Sequence, residues 1–361
     1  MLTVAVDARA AAEVPAGRGR YVRELLRALA ILPEAEDVRF TLWARERWDD
    51  PALDERFVWR LGRLPDPAWN VAAGLRAGAS ADAFLSTNSY LTAWFTRCPT
   101  VLVVHDLVAF ERPEWVLGSA GRIERATAAP ALRRATAVAC DSDATRTDLV
   151  RRFPNVAGRA LTIPLAADAS FGAPVARPGH PSLDAPYVLA VGTLEPRKNL
   201  EALIAAWVAL DPAVRGERLL ALVGPRGWDD APILTAARDA GARLLGRVSE
   251  DELRALYAGA DAFAYPSRYE GFGLPVLEAM AAGAPVLTSD VSSLPEVAGD
   301  AALLVDPLDT AAIGAALRRI LDEPGLAAEL RTRGRAQAAR FSWERTARET
   351  LAVLRAAAAR R

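Results

Sequence analysis

Short apolar runs alternate with segments of helical spacing along most of the chain. The strand-like runs of the first half are residues 2–8, 38–44, 82–87, 101–106, 137–142 and 161–166. Those of the second half are residues 187–193, 218–224, 242–247, 261–267, 285–290 and 301–307. Helical spacing is clearest at 21–30, 199–210, 249–260 and 275–283. Strands that alternate with helices predict parallel sheets covered on both faces, which is an α/β fold.

The stretch 172–186 interrupts this alternation, because it is rich in proline and glycine and has no periodicity. We therefore predict a linker at 172–186 between a first domain at 1–171 and a second domain at 187–341. A length of 361 residues suits two domains of about 150 residues each. We expect each domain to be a doubly wound, Rossmann-like parallel sheet. Ligands of such sheets bind at the carboxyl edges of the strands, so we expect a cleft between the two domains.

Composition and charge narrow the function. The chain is 52% apolar and 25% charged, and its 45 acidic and 44 basic residues nearly cancel, so we expect no nucleic-acid partner. Two cysteines and two histidines are too few for a disulfide scaffold or a zinc cluster. No apolar stretch is long enough to span a bilayer, and no signal peptide is visible. We therefore expect a cytoplasmic protein.

The densest chemical signal is the segment 269–283, YEGFGLPVLEAMAAG. Gly271 and Gly273 predict a loop after a strand, and Pro275 suits the first position of the helix that follows. Gly283 suits the position just beyond the end of that helix. The free amides of such a loop and helix start are suited to binding an anion.

Two carboxylates belong to the same segment. Glu270 precedes the glycines, and Glu278 lies one turn into the helix with seven residues between them. Carboxylates placed in this way can accept hydrogen bonds from paired sugar hydroxyls. The alternative, to which we give equal weight, is that Glu278 complements the helix dipole and Glu270 is solvated.

The segment 191–199, VGTLEPRKN, ends the first strand of the second domain and enters a helix. Gly192 permits a close approach of the backbone, and Arg197 and Lys198 then lie near a helix N-terminus. Positive charge is unfavourable there unless an anion is shared, so phosphate binding is the better explanation. Lys198 is the single lysine among 44 basic residues, which suggests a position where arginine cannot substitute.

Signals in the first domain are weaker. Gly17 and Gly19 lie between a strand and a helix, where packing alone often requires glycine. His105 and Asp106 end the strand-like run 101–106, at the sheet edge where ligands are expected. Ser142 or Asp143 is expected to be the N-cap of a helix rather than part of a site.

The motifs VVHDL, VGTLEPRKN, the stretch from LYAGADAFAYPS to APVLTSD, and SSLPEVAGDAALLVDP together resemble the retaining glycosyltransferases of family 4. The resemblance is closest to the bacterial mannosyltransferase-like group and strongest over 187–310. It implies the GT-B fold, with an acceptor-binding first domain, a donor-binding second domain and a last helix at 342–361 that packs back on the first. It further implies metal-independent transfer of a hexose, mannose being favoured, to a hydroxyl of a glycan or lipid-linked acceptor. The donor would be GDP-mannose or a UDP-sugar, and no cofactor is required.

The resemblance also implies roles for individual residues of the second domain. Glu270 would meet the donor sugar hydroxyls, Glu278 the ribose, and Arg247 the nucleotide base, mostly through its backbone. The loop residues that would hold the sugar and its phosphate are Gly271, Phe272, Gly273 and Leu274. The residues that would meet the diphosphate are Gly192, Arg197 and Lys198.

Three residues of the first domain receive roles in the same way. His105 would touch the donor sugar near the reacting carbon, and Gly17 and Gly19 would approach the phosphates or the acceptor. One departure concerns the residue after Gly192, where many members of the family have arginine and this chain has Thr193. We expect Arg197 to supply that charge.

The chemistry implied by the resemblance needs a stabilised diphosphate leaving group, which fixed cations and amides can provide. No Asp-x-Asp metal motif and no carboxylate nucleophile is evident, so we favour front-face transfer in which a donor phosphate oxygen accepts the acceptor's proton. Two alternatives stay open: a nucleotide-sugar epimerase on the same fold, and a non-catalytic relative that binds sugar nucleotides. A pyridoxal-dependent phosphorylase is disfavoured because Lys198 already belongs to the phosphate loop.

Arginines cluster on two predicted helices of the first domain: Arg18, Arg20, Arg23 and Arg27 on one, and Arg122, Arg125, Arg133 and Arg134 on the other. A solvated basic face is the commoner explanation. The sharper hypothesis is an acceptor that carries phosphate, such as a lipid diphosphate glycan, with peripheral contact to a membrane.

Overall fold

The computed structural model describes residues 1–14, 17–87, 89–116, 118–175 and 183–360. The chain forms two compact units. Unit 1 comprises Met1–Leu165 and Ser342–Arg361, and unit 2 comprises Ala166–Phe341. Each unit contains one parallel sheet, of seven strands in unit 1 and six in unit 2, and both are Rossmann-like as predicted.

The sheet of unit 1 has the strand order β3-β2-β1-β4-β5-β6-β7, with every neighbouring pair parallel. Its strands are β1 Leu2–Asp7, β2 Val38–Ala44, β3 Phe57–Leu61, β4 Ala83–Ser86, β5 Thr100–Val104, β6 Ala137–Cys140 and β7 Ala160–Thr162. The chain runs from β1 outward to β3 and then returns to β4 on the other side of β1. The boundary between β1 and β4 is therefore the point where ligands of doubly wound sheets bind, at the carboxyl ends of the strands.

Helices cover this sheet because their apolar residues recur at helical spacing. They are α1 Arg9–Glu13, α2 Arg18–Ile31, α3 Ala68–Ser80, α4 Tyr90–Phe95, α5 Val108–Glu111, α6 Gly118–Arg134 and α7 Asp143–Arg152. In α2, residues Val22, Leu25, Leu26 and Leu29 are buried, which is the amphipathic pattern the sequence predicts. Ser142 is the N-cap of α7, as expected, and its side chain accepts a hydrogen bond from the amide of Thr145.

Strand β3 has no counterpart among the strand-like runs of the sequence. It lies at the sheet edge, where only Phe57 of its five residues is buried, so it shows little of an apolar run. Strand β7 is shorter than the run 161–166 and ends at Thr162. Pro164 has no backbone N–H with which to extend the ladder. The other strand-like runs of unit 1 all contain a strand of the structure.

The sheet of unit 2 has the order β10-β9-β8-β11-β12-β13 and is also parallel throughout. Its strands are β8 Tyr187–Val191, β9 Leu219–Val223, β10 Arg243–Gly246, β11 Ala262–Tyr265, β12 Val286–Ser289 and β13 Ala302–Val305. Its helices are α8 Leu200–Ala209, α9 Pro212–Arg215, α10 Ala231–Asp239, α11 Glu250–Gly259, α12 Leu274–Ala282, α13 Leu294–Ala298, α14 Thr310–Asp322 and α15 Leu326–Ala338. Here the chain reverses its direction across the sheet between β8 and β11.

The boundary between the units falls after Leu165, whereas the sequence places the end of the first domain at residue 171. The intervening residues belong to unit 2 because Phe171 packs edge-on against Tyr257, with ring centroids 5.8 Å apart. Of the linker predicted at 172–186, residues 176–182 lie outside the described residues.

The last helix, α16 Trp343–Ala358, belongs to unit 1. The Thr346 hydroxyl donates a hydrogen bond to the Pro164 carbonyl at 2.6 Å, and Arg348 pairs with Glu34 at 2.9 Å. Phe341, just before this helix, belongs to unit 2 and contacts Phe272. Over the described parts of the chain, no helix combines the length and apolar character needed to cross a membrane.

Candidate active site

The charged cluster of unit 2 lies at the reversal point of its sheet. Strands β8 and β11 are neighbours although two strands and four helices, from α8 to α11, separate them along the chain. The segment after β8 contains Arg197 and Lys198, and the segment after β11 contains Glu270. Because both strands are parallel, these segments meet at the same carboxyl edge.

Glu270 is the centre of this cluster, and it is only 8% exposed. Its Oε1 accepts hydrogen bonds from Nζ of Lys198 at 2.7 Å, the Tyr265 hydroxyl at 2.8 Å and the Ser267 hydroxyl at 2.6 Å. Its Oε2 accepts one from Nη1 of Arg197 at 2.8 Å. Glu270 is therefore a buried ion-pair partner, and the solvated alternative is excluded.

Burial by itself would raise the pKa of Glu270, but the charges of Arg197 and Lys198 outweigh it and hold that pKa at about 2. Burial and the neighbouring charge of Arg197 lower the pKa of Lys198, and Glu270 opposes them. Glu270 is consequently ionised at neutral pH and fixes both cations.

Lys198 and Arg197 differ in how many of their N–H groups donate hydrogen bonds to protein acceptors. Nζ of Lys198 donates to Glu270 and, at 2.6 Å, to the Tyr265 hydroxyl. These are the two acceptors that the described residues offer to its three N–H bonds. Arg197 donates to Glu195 through Nε and Nη2, and to the Tyr269 carbonyl and Glu270 through Nη1. Lys198 thus keeps a donor for a ligand, whereas Arg197 mainly holds Glu270 and the loop.

Gly192 explains how Lys198 reaches Glu270. A Cβ on residue 192 would lie 3.3 Å from Cε and 3.5 Å from Cδ of Lys198. Its φ of +152° is also a conformation that side-chain-bearing residues rarely adopt. The missing side chain therefore lets the methylene chain of Lys198 cross the end of β8.

Two serines that were not predicted from the sequence hold the Glu270 loop. The Ser292 hydroxyl accepts a hydrogen bond from the Glu270 amide at 2.8 Å and donates to the carbonyl of the same residue. The Ser293 hydroxyl contacts the carbonyls of Glu270 and Phe272 at 3.0 and 2.8 Å. The sequence signal for them was a pair of serines shortly after β12. The carboxyl end of that strand lies beside the Glu270 loop.

Glu278 lies in α12 and is 2% exposed. Its Oε2 accepts a hydrogen bond from the Tyr257 hydroxyl at 3.1 Å. Helix α12 starts at Leu274, one residue before the predicted position, and Gly283 ends it with φ +81° as predicted. Gly273 precedes the helix with φ +105°, and a Cβ there would lie 2.8 Å from Leu294.

The remaining predicted donor residues are arranged around the loop and the far edge of the sheet. Phe272 is buried and packs against Phe341, while Gly271 continues the loop from Glu270. Arg247 follows the edge strand β10 and is exposed, so its side chain is outside the Glu270 cluster.

His105 follows β5 in unit 1, and both of its ring nitrogens have acceptor partners. Nδ1 lies 2.7 Å from Oδ2 of Asp141, and Nε2 lies 2.9 Å from the Thr87 carbonyl. Burial raises the pKa of Asp141, and the charge of His105 opposes this. With Asp141 ionised, both partners are acceptors and both ring nitrogens donate, which is the imidazolium form. Burial alone would lower the pKa of His105, but the charge and hydrogen bond of Asp141 outweigh it and raise that pKa. Asp141 was not identified from the sequence.

We expect Asp141→Asn to lower the pKa of His105 below its wild-type value, because the carboxylate that stabilises the imidazolium is gone. The stabilisation from a raised histidine pKa is full below the unfolded value of about 6.5 and is lost as pH rises through the folded value. The thermal stability gap between wild type and variant should therefore be widest in acid and shrink with rising pH. Proton NMR titration of His105 measures the first effect, with His180→Gln used to assign the two histidine signals.

The control for this variant is Asp143→Asn, which changes an exposed carboxylate two residues away. It should leave the His105 titration unchanged. An unchanged titration in Asp141→Asn itself would contradict the proposed pairing.

Gly17 and Gly19 differ in their structural reasons. A Cβ on Gly19 would lie 1.7 Å from the Val14 carbonyl oxygen and 2.7 Å from that of Ala10, so the packing of α2 against the preceding segment requires glycine. Gly17 has open space around it, but its φ of +53° favours glycine.

Several arginines of the two basic helices bind within unit 1. Arg23 donates to the carbonyls of Ala11 and Val14. Further intramolecular pairings join Arg27 to Glu24 and Asp50, Arg125 to the Ala109 carbonyl, and Arg134 to the Thr96 carbonyl. These partners account for part of the arginine clustering without a ligand. A search of the described residues for three or more metal-binding side chains finds no group that could hold an ion.

The architecture matches solved glycosyltransferase structures. Sucrose-phosphate synthase from Thermosynechococcus elongatus aligns over 100% of both chains with a TM-score of 0.80 and 23% sequence identity. Anabaena HepE, in complex with UDP and glucose, aligns over 99% of this chain and 100% of its own with a TM-score of 0.76 and 17% identity. Two Rossmann-like units of this kind define the GT-B fold.

Sequence comparison identifies the family. The model for glycosyl transferases group 1 matches residues 176–337. The O-antigen chain mannosyltransferase B of Escherichia coli is 33% identical over 367 aligned residues, which cover 93% of this chain and 94% of that protein. The chain belongs to the group 1 glycosyltransferase family.

Proposed function

We propose that this glycosyltransferase is a retaining, metal-independent mannosyltransferase of family 4. It transfers mannose from a nucleotide diphosphate sugar, GDP-mannose being favoured, to a hydroxyl of a glycan or lipid-linked acceptor. The observation that carries the proposal is the buried Lys198–Glu270 pair at the reversal point of the unit 2 sheet. The mannosyltransferase relative supports the sugar, and the UDP and glucose of the HepE complex support a nucleotide and sugar on this fold.

The diphosphate would be bound by directed donors rather than by net charge. Arg197 and Lys198 are balanced by Glu195 and Glu270, so the cluster is close to neutral. The donor of Lys198 that the described residues leave unused and the amides at the start of α12 can each hold a phosphate oxygen. Such fixed donors stabilise the charge that develops on the leaving diphosphate.

Glu270 would orient the donor sugar through its second oxygen. Oε1 already accepts three hydrogen bonds, while Oε2 accepts one, from Arg197. Oε2 therefore has the greater remaining capacity and can accept a hydrogen bond from a sugar hydroxyl. Glu278 would meet the ribose, and the backbone around Arg247 would meet the base.

The transfer step would take place on the front face of the sugar. The bond from the anomeric carbon to the diphosphate oxygen breaks as the acceptor oxygen bonds to that carbon. The acceptor's proton passes to the departing phosphate oxygen, so no protein base or nucleophile is consumed. His105 would contribute beside the donor sugar from unit 1, and Gly17 beside the phosphates or acceptor.

Calorimetry with a panel of GDP-mannose, UDP-mannose, UDP-glucose, GDP and UDP tests this proposal. We expect GDP-mannose to bind, with an affinity that EDTA leaves unchanged. With a mannoside acceptor, NMR of the product should show the α configuration of the donor. A β product, loss of turnover in EDTA, or conversion of the donor to an isomeric sugar without acceptor would each contradict it, the last in favour of an epimerase.

A further inference from the structure

A cavity with a volume of about 340 Å³ is lined by residues of unit 1. It opens at the carboxyl ends of β4 and β5, next to the reversal point of that sheet between β1 and β4. This is the edge at which ligands of doubly wound sheets bind, and the volume is within the usual range for small-molecule sites. Its polar lining includes Arg18, Asp66, Asn70, His105, Asp106 and Glu124.

Glu124 of α6 is the lining residue with most capacity for a ligand. It is half-buried, and within the described residues no protein group donates a hydrogen bond to its carboxylate. Burial raises the pKa of Glu124, and the nearby charge of Asp106 raises it further. Oδ1 of Asp106 accepts the Val108 amide at 3.0 Å. Two neighbouring carboxylates thus present acceptor oxygens to the cavity.

The cavity is a poor site for an anion. Asp66, also in its lining, is neutralised from outside by Arg9 at 3.0 Å and Arg45 at 2.6 Å. Arg18 is the guanidinium in the lining, and its charge lowers the pKa of Glu124 against the effects of burial and Asp106. His105, also in the lining, is balanced from outside by Asp141 at 2.7 Å. The remaining charged residues of the lining are Asp106, Glu124 and Arg18, so carboxylates outnumber cations and a phosphate group would be repelled.

Apolar side chains form the remaining walls. Tyr90, Leu91, Val116 and Ile123 line the cavity, and Ile123 is 43% exposed although it is a large apolar residue. An uncharged sugar ring has hydroxyls, which can donate hydrogen bonds to carboxylates, and C–H groups, which pack on apolar side chains. The cavity provides both kinds of surface.

We propose that this cavity binds the terminal sugar of the acceptor, that this sugar is neutral, and that Glu124 and Asp106 select it against a phosphorylated sugar. The proposal rests on the proposed function only in assigning the bound sugar to the acceptor. It also replaces the phosphate-bearing acceptor considered from the arginine clusters, at least for the sugar that enters this cavity.

Binding of neutral methyl hexosides, namely the mannoside, glucoside, galactoside and N-acetylglucosaminide, is measured by NMR without donor, beside the 6-phosphate of each. We expect at least one neutral glycoside to bind, about 10-fold or more tightly than its phosphate. In the double variant Glu124→Gln/Asp106→Asn this preference should fall to near unity, because the repelling charges are gone. Glu36→Gln, an exposed change at the opposite edge of the sheet, should keep the wild-type preference.

Equal or tighter binding of the phosphates by wild type, no binding of any neutral glycoside, or an unchanged preference in the double variant would overturn the proposal. GDP-mannose binding is measured on the same samples. If wild type does not bind GDP-mannose but still prefers neutral glycosides, the result contradicts the proposed function but not the proposed role of the cavity. Donor binding without the glycoside preference would count against the cavity alone.

Discussion

Replacement of Lys198 by alanine is expected to abolish detectable binding of the nucleotide diphosphate and to lower kcat/KM about 100- to 1,000-fold. The Lys198 side chain is 10% exposed and its ammonium is oriented by Glu270 and Tyr265, so it is a preorganised donor for a developing negative charge. Calorimetry with GDP-mannose and steady-state kinetics measure the two effects. The fold should persist, because Glu270 keeps its hydrogen bonds from Arg197, Tyr265 and Ser267.

The informative companion is Lys198→Arg, which keeps the charge. We expect it to recover little activity, because the side chain must pass Gly192 at contact distance and a planar guanidinium differs in size and donor geometry from the ammonium that Glu270 and Tyr265 hold. This would explain why lysine occurs at this single position in a chain whose other basic residues are arginine. Arg319→Ala, which breaks an exposed pair on α14, is the matched control and should change neither measurement.

Equal donor binding by Lys198→Ala and wild type would show that the diphosphate is held elsewhere. Full activity in Lys198→Arg would show that only the charge matters, and the spatial argument from Gly192 would then be wrong.

Replacement of Glu270 by glutamine is expected to destabilise the protein by about 3–5 kcal/mol, because two buried cations lose their carboxylate. The fall of the Glu270 pKa from 4.5 to about 2 corresponds to roughly 3 kcal/mol, in agreement with that range. A lowered carboxyl pKa stabilises the folded state above pH 4.5, and this stabilisation is lost as pH falls toward 2. The stability gap between wild type and variant should therefore be largest near neutral pH and close in acid.

The same variant separates nucleotide binding from sugar recognition. With Glu270 uncharged, Lys198 loses its counter-ion while Arg197 keeps Glu195, so the cluster gains net positive charge and GDP should bind at least as tightly as to wild type. The advantage of GDP-mannose over GDP, and with it transfer, should be lost. Chemical unfolding from pH 3 to 8 and calorimetry with both nucleotides provide the measurements. Tyr257→Phe, which removes only the hydroxyl donated to Glu278, is the control for the stability measurement and should cost about 1 kcal/mol.

A stability gap that does not narrow in acid would mean that Glu270 acts through packing rather than charge. Retention of the preference for GDP-mannose would remove Glu270 from the sugar site and leave it as the anchor of the two cations.

The alternation of apolar runs and helical spacing was sufficient to predict two parallel sheets, and glycines were sufficient to mark the ends of α12. These features are local: the side-chain period and the φ of a few residues determine them. Strand β3 escaped prediction because an edge strand with one buried residue carries little of that pattern. The need for glycine at position 19 could not be predicted from local pattern either, because it comes from a close approach to the Val14 carbonyl in the folded chain.

The sequence by itself determined the fold class and which residue types could carry chemistry. Tertiary structure alone decided their partners: Lys198 meets Glu270 across 72 residues, and His105 meets Asp141 across 36. The physical reason is strand order. Side-chain periodicity specifies that β8 and β11 are strands but not that they are neighbours, and only their pairing brings the segments after them to one edge. At that edge Glu270 is buried and pairs with Arg197 and Lys198, and Glu278 accepts a hydrogen bond from Tyr257. The sequence alone could not distinguish these buried pairings from solvated carboxylates.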